Sequence, residues 1–365
     1  MKLIIQPGDG TAPVIKAIKK AKRSVEIIIF RFDQAEIESA LIEAVERGVF
    51  VHALIAFTNK GGEQTLRRLE MRFLDKGITV ARTADDLARY HGKMMLIDRK
   101  ELFVFAYNFT HLDTERSRSF GIGTKNRELV QEAARLFESD TKRQPYKAHC
   151  ARFIVSPANA RQQLAAFLRG AKRELLIYDI KITDRAMQHI LEERFKAGLE
   201  IRVIGQITRN KNLLVRCPQN LRLHARVIIR DRTSIFLGSQ SLRKLELDSR
   251  REIGVIVGGA KVVNSLLEIF KKDWKASSPV KSPDKKIGSD PEEKRAKKVA
   301  KVVEEQLPVA PVVKQMVREM RRRANLPLDS KKVKKAVEAE VKSALKKAVK
   351  KAATRIIHKS VEDEL

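Results

Sequence analysis

The sequence predicts an α/β protein: two similar α/β domains packed as a pseudo-dimer, followed by a basic helical C-terminal extension. Three observations carry this. Strand-like and helix-like stretches alternate through residue 275, and their order repeats once. A short polar signature, His-x-(Lys/Arg)-x4-Asp, occurs as His91, Lys93 and Asp98 and again as His224, Arg226 and Asp231. A shift of 133 residues takes His91 to His224, Asp98 to Asp231, Asn108 to Ser241 and Gly121 to Gly254, so a whole segment is duplicated and not a motif alone.

The elements follow in order. Ala12 to Lys22 has helical apolar spacing, Val25 to Phe32 is a β-prone run, Gln34 to Arg47 is an amphipathic helix, and Phe50 to Phe57 is a second strand. In the second half Ala158 to Arg169, Leu175 to Ile182, Asp184 to Ala197 and Glu200 to Gly205 repeat that series. Ala21, Lys22 and Arg23 are echoed by Ala171, Lys172 and Arg173, and Gly48 by Gly198, at a spacing of 150. The signatures sit only 133 apart, so the first half holds about 17 extra residues before its signature, which the helical stretch Glu63 to Lys76 supplies. Strand, helix and strand at these spacings predict right-handed crossovers and mainly parallel sheets covered by helices. Apolar runs such as VEIIIF and ELFVF agree, because strands buried on both faces lose their alternation.

The last core helix runs from Ala260 to Trp274. Beyond it the chain turns rich in Ser, Pro and Lys, then resumes a helical pattern broken by Pro308, Pro311 and Pro327. Val333, Val337, Val341, Leu345, Ala348, Ala352 and Ile356 form one thin apolar stripe among lysines. The expected limits are residues 1–147 and 148–275 for the two domains, 276–293 for a linker and 294–365 for a Lys-rich helical tail.

Composition narrows the partners. With 75 Lys and Arg against 45 Asp and Glu, the formal charge is +30, and the excess grows around and behind the second signature. Polyanions are the natural partners, either nucleic acid or an anionic membrane surface met through the basic surface and tail. No run approaches eighteen apolar residues and the N-terminal segment does not resemble a signal peptide, so a cytoplasmic location is expected, with peripheral attachment to a membrane as a variant. Cys150 and Cys217 lack C-x-x-C spacing and are expected as reduced thiols, with no metal site and no cofactor.

The signature itself points to phosphodiester chemistry. Residues two apart on an extended strand face one side, which pairs His91 with Lys93 and His224 with Arg226. A diester phosphorus needs a nucleophile, cations for its non-bridging oxygens and a proton for the departing alkoxide. Two imidazoles can serve as nucleophile and acid, and Lys93 and Arg226 as the cations. Asp98 and Asp231 fall where each strand turns, and either form the turn or orient the site.

These motifs resemble those of the phospholipase D superfamily, whose H-x-K-x4-D is followed by G-S-x-N and an acidic residue near Ile-Gly. The resemblance spans residues 1–275 and implies two α/β domains around one active site. It also implies a metal-independent phosphodiesterase or phosphatidyltransferase acting through a covalent phosphohistidine, with a phospholipid as substrate. His91 would be the nucleophile and His224 the general acid, with the reverse assignment left open by the departures below. Asn108, Ser239 and Ser241 would bind phosphate with Lys93 and Arg226, and Glu252 would orient a histidine. The chain departs from the pattern in several places. Phe105, Ala106 and Tyr107 precede Asn108, the second half has Gly238-Ser239-Gln240-Ser241, Arg226 replaces lysine, and Ser119 stands 133 residues before Glu252. Two other functions stay open: an endonuclease of the same superfamily, and an adaptor for nucleic acid or membrane that has lost turnover.

Overall fold

A computed structural model of the protein describes residues 1–57, 63–208 and 212–280. These belong to one compact unit, Met1–Ser282. The helical tail expected over 294–365 lies outside the described residues. The linker expected from residue 276 begins later than the sequence suggests. The last helix runs Ala260–Ala276, and Ser277–Pro279 then pairs antiparallel with the strand Leu214–Pro218.

Each half builds one sheet. In the first lobe the strand order is Lys2–Gln6, Ser117–Thr124, Glu101–Phe105, Met94–Ile97, Ser24–Ile29, Phe50–Ile55 and Thr79–Arg82. In the second it is Ser277–Pro279, Leu214–Pro218, Glu200–Ile207, Glu174–Ile182, Arg226–Arg230, Ser234–Gly238, Ile253–Gly258 and Phe153–Val155. The expectation of mainly parallel sheets is corrected here. Only the pairings joined through helices or long connections are parallel, Ser24–Ile29 with Phe50–Ile55 and its neighbour, and Glu174–Ile182 with Glu200–Ile207 and its neighbour. The other pairings along these two strand orders are antiparallel.

The reason is the pair of tight turns that follow the signatures. Asp98, Arg99 and Lys100 reverse the chain between Met94–Ile97 and Glu101–Phe105, and Asp231, Arg232 and Thr233 do the same in the second lobe. Asp98, Arg99, Asp231 and Arg232 all take left-handed backbone angles, φ 53°, 50°, 52° and 55°. Neither turn carries the glycine or asparagine that normally marks such a reversal. The aspartate carboxylates compensate by accepting a fan of backbone N–H groups, described below.

Helices complete the layers. Ala12–Lys19, Ala35–Glu46 and Glu63–Asp75 cover the outer face of the first sheet, where Met95 and Ile97 point. Arg127–Thr141 and Ala260–Ala276 lie in a central core shared by both sheets, with Met94 and Leu96 from one lobe and Val227 and Ile229 from the other. Ala160–Arg169 and Arg185–Lys196 cover the outer face of the second sheet, where Ile228 points. Alternation is therefore real but invisible in hydropathy, because apolar layers meet both faces. The extra residues of the first lobe form the helix Glu63–Asp75 between Phe50–Ile55 and Thr79–Arg82, whereas among the described residues no helix stands between Glu200–Ile207 and the equivalent Leu214–Pro218.

The lobes are also stitched by backbone. Arg222–Leu223 pairs in parallel with Ser117–Arg118, and Arg250–Arg251 pairs in parallel with Arg89–Tyr90. A shift of 133 residues turns one pairing into the other, which makes the arrangement pseudo-twofold.

Candidate active site

Each signature histidine stands at the end of one of these crossings, and its backbone is held by the opposite lobe. The His91 N–H donates to the Arg251 carbonyl at 2.8 Å, and the His224 N–H donates to the Arg118 carbonyl at 3.0 Å. Next to His91, Gly92 leaves room for Ile253 of the second lobe. A Cβ at Gly92 would come within 2.5 Å of the Ile253 side chain. Neither histidine sits on the strand itself; the following strands begin at Met94 and Arg226.

Around His91 the partners are close. Its Nδ1 lies 2.9 Å and 3.1 Å from the two Glu252 oxygens, and the Lys93 Nζ lies 2.7 Å from its Nε2. The Phe30 ring packs edge-on against the imidazole at a centroid distance of 4.6 Å. Burial, and then the charges of Lys93, Arg226 and Arg250, hold this imidazole well below its ordinary pKa. It is a neutral base at neutral pH. Burial also pushes Lys93 down, against the pull of Glu252, and pushes Glu252 up, against Lys93 and Arg250.

His224 is only 2% exposed, and its surroundings differ. Its Nδ1 is 3.0 Å from Asp113 Oδ2, a contact in distance that is not aligned as a hydrogen bond. Burial, only partly offset by Asp113 and reinforced by Arg226, pushes its pKa down to about 4. Asp113 is shared: its Oδ2 accepts from the Asn108 backbone N–H at 2.7 Å and the Asn108 side-chain amide at 2.8 Å, and its Oδ1 from Arg222 at 2.7 Å. Burial would raise this carboxyl, but the neighbouring His224 ring, the Asn108 N–H and Arg222 outweigh it and lower it.

One side chain ties the halves into a single electrostatic site. Arg226 crosses to donate to the Ala106 carbonyl of the first lobe at 3.4 Å, and its charge depresses both imidazoles. The two imidazoles and Arg226 are thus coupled electrostatically across the lobe boundary.

The remaining expected site residues divide. Glu252 is placed against His91, as just described. Ser239 is turned toward the strand, accepting from the Ile253 N–H at 3.0 Å, and Ser241 accepts from Arg226 Nε at 3.3 Å. Asn108 spends its amide N–H on Asp113. Ser239, Ser241 and the Asn108 amide nitrogen thus each have a protein partner, while Asn108 Oδ1 is buried without one among the described residues. Asp98 and Asp231 are not brought into the site, which corrects their inclusion in the catalytic set. Asp98 accepts from the N–H groups of Lys22, Arg23 and Ser24, and Asp231 from those of Lys172, Arg173 and Glu174. The intervening strand, at about 3.3 Å per residue, separates each aspartate from its histidine. These backbone bonds lower both carboxyls despite the opposing effect of their partial burial.

Sequence reasoning missed Asp113, Arg222 and Arg250. Asp113 had a signal: an acid five residues after Asn108 recurs as Glu246 five residues after Ser241, and Glu246 likewise accepts the Ser241 N–H at 2.6 Å. Arg250 lies 3.6 Å from Glu246 in the same network.

Comparison with known proteins agrees with the duplication. The domain family described as "Cardiolipin synthase, PLD-like domain" matches residues 14–141 and again 151–274. A phospholipase D of Rickettsia prowazekii (strain Madrid E) is 29% identical over 126 residues, 34% of this chain and 59% of the relative. The chain thus spans about three-fifths of the length of the curated relatives it matches. Among solved structures, polyphosphate kinase from Porphyromonas gingivalis superposes with a TM-score of 0.64 at 19% identity, covering 75% of this chain and 47% of that one. Phosphatidylserine synthase from Haemophilus influenzae Rd KW20 gives 0.60 at 11% identity, covering 82% and 93%. At such identities these two structures speak to the fold alone.

Proposed function

The chain belongs to the cardiolipin synthase-type, phospholipase D-like domain family, and from that premise we propose that it is a phosphodiesterase or phosphatidyltransferase working through a covalent phosphohistidine. The observation that carries the reading is Arg226, whose charge acts on both histidines while its guanidinium reaches across the lobe boundary.

His91 is the nucleophile. Glu252 holds the Nδ1 proton, which leaves the Nε2 lone pair to form the P–N bond. Lys93, now against Nε2, passes its N–H to a non-bridging phosphoryl oxygen, with Arg226 on another. As the P–O bond breaks, the departing oxygen takes a proton from His224. His224 takes up that proton from solvent when the substrate binds, because a bound anion offsets Arg226 and raises the imidazole from about 4. In the second step water or an alcohol gives its proton to His224, its oxygen forms the new P–O bond, and the P–N bond breaks.

A phospholipid is the proposed substrate, on the strength of the family and of relatives named phospholipase D. A nucleic-acid phosphodiester is the second reading, favoured by the charge of +30. The test is trapping with a labelled phosphodiester. The wild type is expected to give an acid-labile adduct that His91→Asn abolishes and His224→Asn preserves or accumulates. Loss only in His224→Asn would reverse the roles, and no adduct from either lipid or nucleic-acid substrate would sink the reading. Headgroup release from anionic vesicles, against plasmid cleavage in a chelator, separates the two substrates. Binding without turnover that is unchanged in His91→Ala would mark an adaptor.

A further inference from the structure

The 133-residue repeat makes a specific demand on His224 that the chain does not meet in the repeated place. Glu252 faces His91, and its equivalent is Ser119. Ser119 has no charge to offer the ring; its hydroxyl donates to the His224 backbone carbonyl at 2.6 Å. The carboxylate beside the ring comes from six residues earlier, on the short helix His111–Glu115, where Asp113 Oδ2 lies 3.0 Å from Nδ1. Its own repeat partner, Glu246, accepts the Ser241 N–H and acts on His91 through its charge, behind the direct contact of Glu252.

We propose that Asp113 is the positioning residue of His224, standing in for the carboxylate missing at position 119, and that this relocation sets the division of labour between the two histidines. The inference rests on the phosphohistidine reading for its kinetic consequences, but not for its structural one. Glu252 presents both oxygens to His91, at 2.9 and 3.1 Å. Asp113 divides its charge among the Asn108 N–H, the Asn108 amide, Arg222 and an unaligned imidazole. A carboxylate already holding three donors is a weaker acceptor for a fourth, so it supports an imidazolium less and leaves it the stronger acid. The fully supported ring is the better nucleophile, and the poorly supported one is the better proton donor.

The experiment is imidazole NMR on the full chain, with ring nitrogens labelled, read beside turnover and melting temperature. In Asp113→Asn the His224 resonances should change tautomer balance and titrate lower, while those of His91 stay put; Glu252→Gln should do the converse. Turnover in Asp113→Asn should fall about 100-fold or more, mainly in kcat, and its acid limb should move. Adding Ser119→Glu to Asp113→Asn, in a chain that melts like the wild type, should recover at least about tenfold and return the His224 titration upward. An Asp113→Asn chain whose His224 titrates as in the wild type overturns the proposal, as does one whose two histidines respond alike. So does a well-folded double variant that recovers nothing. If the wild type turns over no phosphodiester, the NMR result still decides the role of Asp113, and only the proposed activity fails.

Discussion

His224 carries a proton balance that can be measured without any substrate. An unfolded histidine titrates near 6.5, whereas burial holds His224 at about 4. Between those values the unfolded chain binds a proton that the native one refuses, so this residue withdraws stability as pH falls from about 6.5 to about 4 and withdraws no more below that. Buried Asp179, pushed up to about 6 by burial, has the opposite sign, because the native chain then binds the proton first as pH falls. The two effects partly cancel in the wild type. His224→Gln should therefore lessen the acid-side loss between pH 6.5 and 4 by up to about 3 kcal/mol, read from urea midpoints at each pH. An unchanged pH slope would mean that the imidazole is solvated. At this scale the sequence revealed both imidazoles and their cations, because a repeated pattern survives without a structure. It did not reveal the part played by Asp113, because the repeated acid at Asp113 and Glu246 marks a shared bond to the Asn108 and Ser241 N–H groups and not the contact with His224 across the lobes.

At the scale of single elements, the signature aspartates act on the turns. Asp98 ties the end of Met94–Ile97 to the start of Ser24–Ile29 through three consecutive N–H groups while its own backbone is left-handed. Asp98→Ala should cost about 1–3 kcal/mol in stability, since charge-assisted bonds to the three N–H groups are lost and water replaces them only in part. Its kcat per folded molecule should stay within about twofold, measured at a temperature where the variant is folded. A large kcat defect in a stably folded variant would return Asp98 to the chemistry. The strands and helices of the two repeated series, Ala12 to Phe57 and Ala158 to Gly205, were legible because they recur in the same order, whereas Ser117–Thr124 and Arg127–Thr141 were not singled out. The mainly antiparallel pairing was not legible, since the turns Asp98–Lys100 and Asp231–Thr233 use a carboxylate where a hairpin usually shows glycine. The short helix His111–Glu115, which carries Asp113, is too brief to leave a periodic trace.

For the whole molecule, the central core draws on both sheets and on the helices Arg127–Thr141 and Ala260–Ala276, so neither lobe can close its inner face alone. Removing one lobe would expose residues such as Met94, Leu96, Val227 and Ile229, each worth about 1.5–3 kcal/mol when buried. The compact unit should melt in one transition with equal calorimetric and van't Hoff enthalpies; two resolved transitions would refute the shared core. The overall α/β pseudo-dimer was readable from the repeat, whereas the depth of the union was not, because the same apolar residues would serve two separate domains equally well. The crossing bonds from His91 to Arg251 and from His224 to Arg118 run through main-chain carbonyls. The grip on each imidazole thus lies in the opposite main chain, whose course Arg118 and Arg251 fix through Asp273 and Asp140, and a chimera joining one half to a foreign counterpart must reproduce that course.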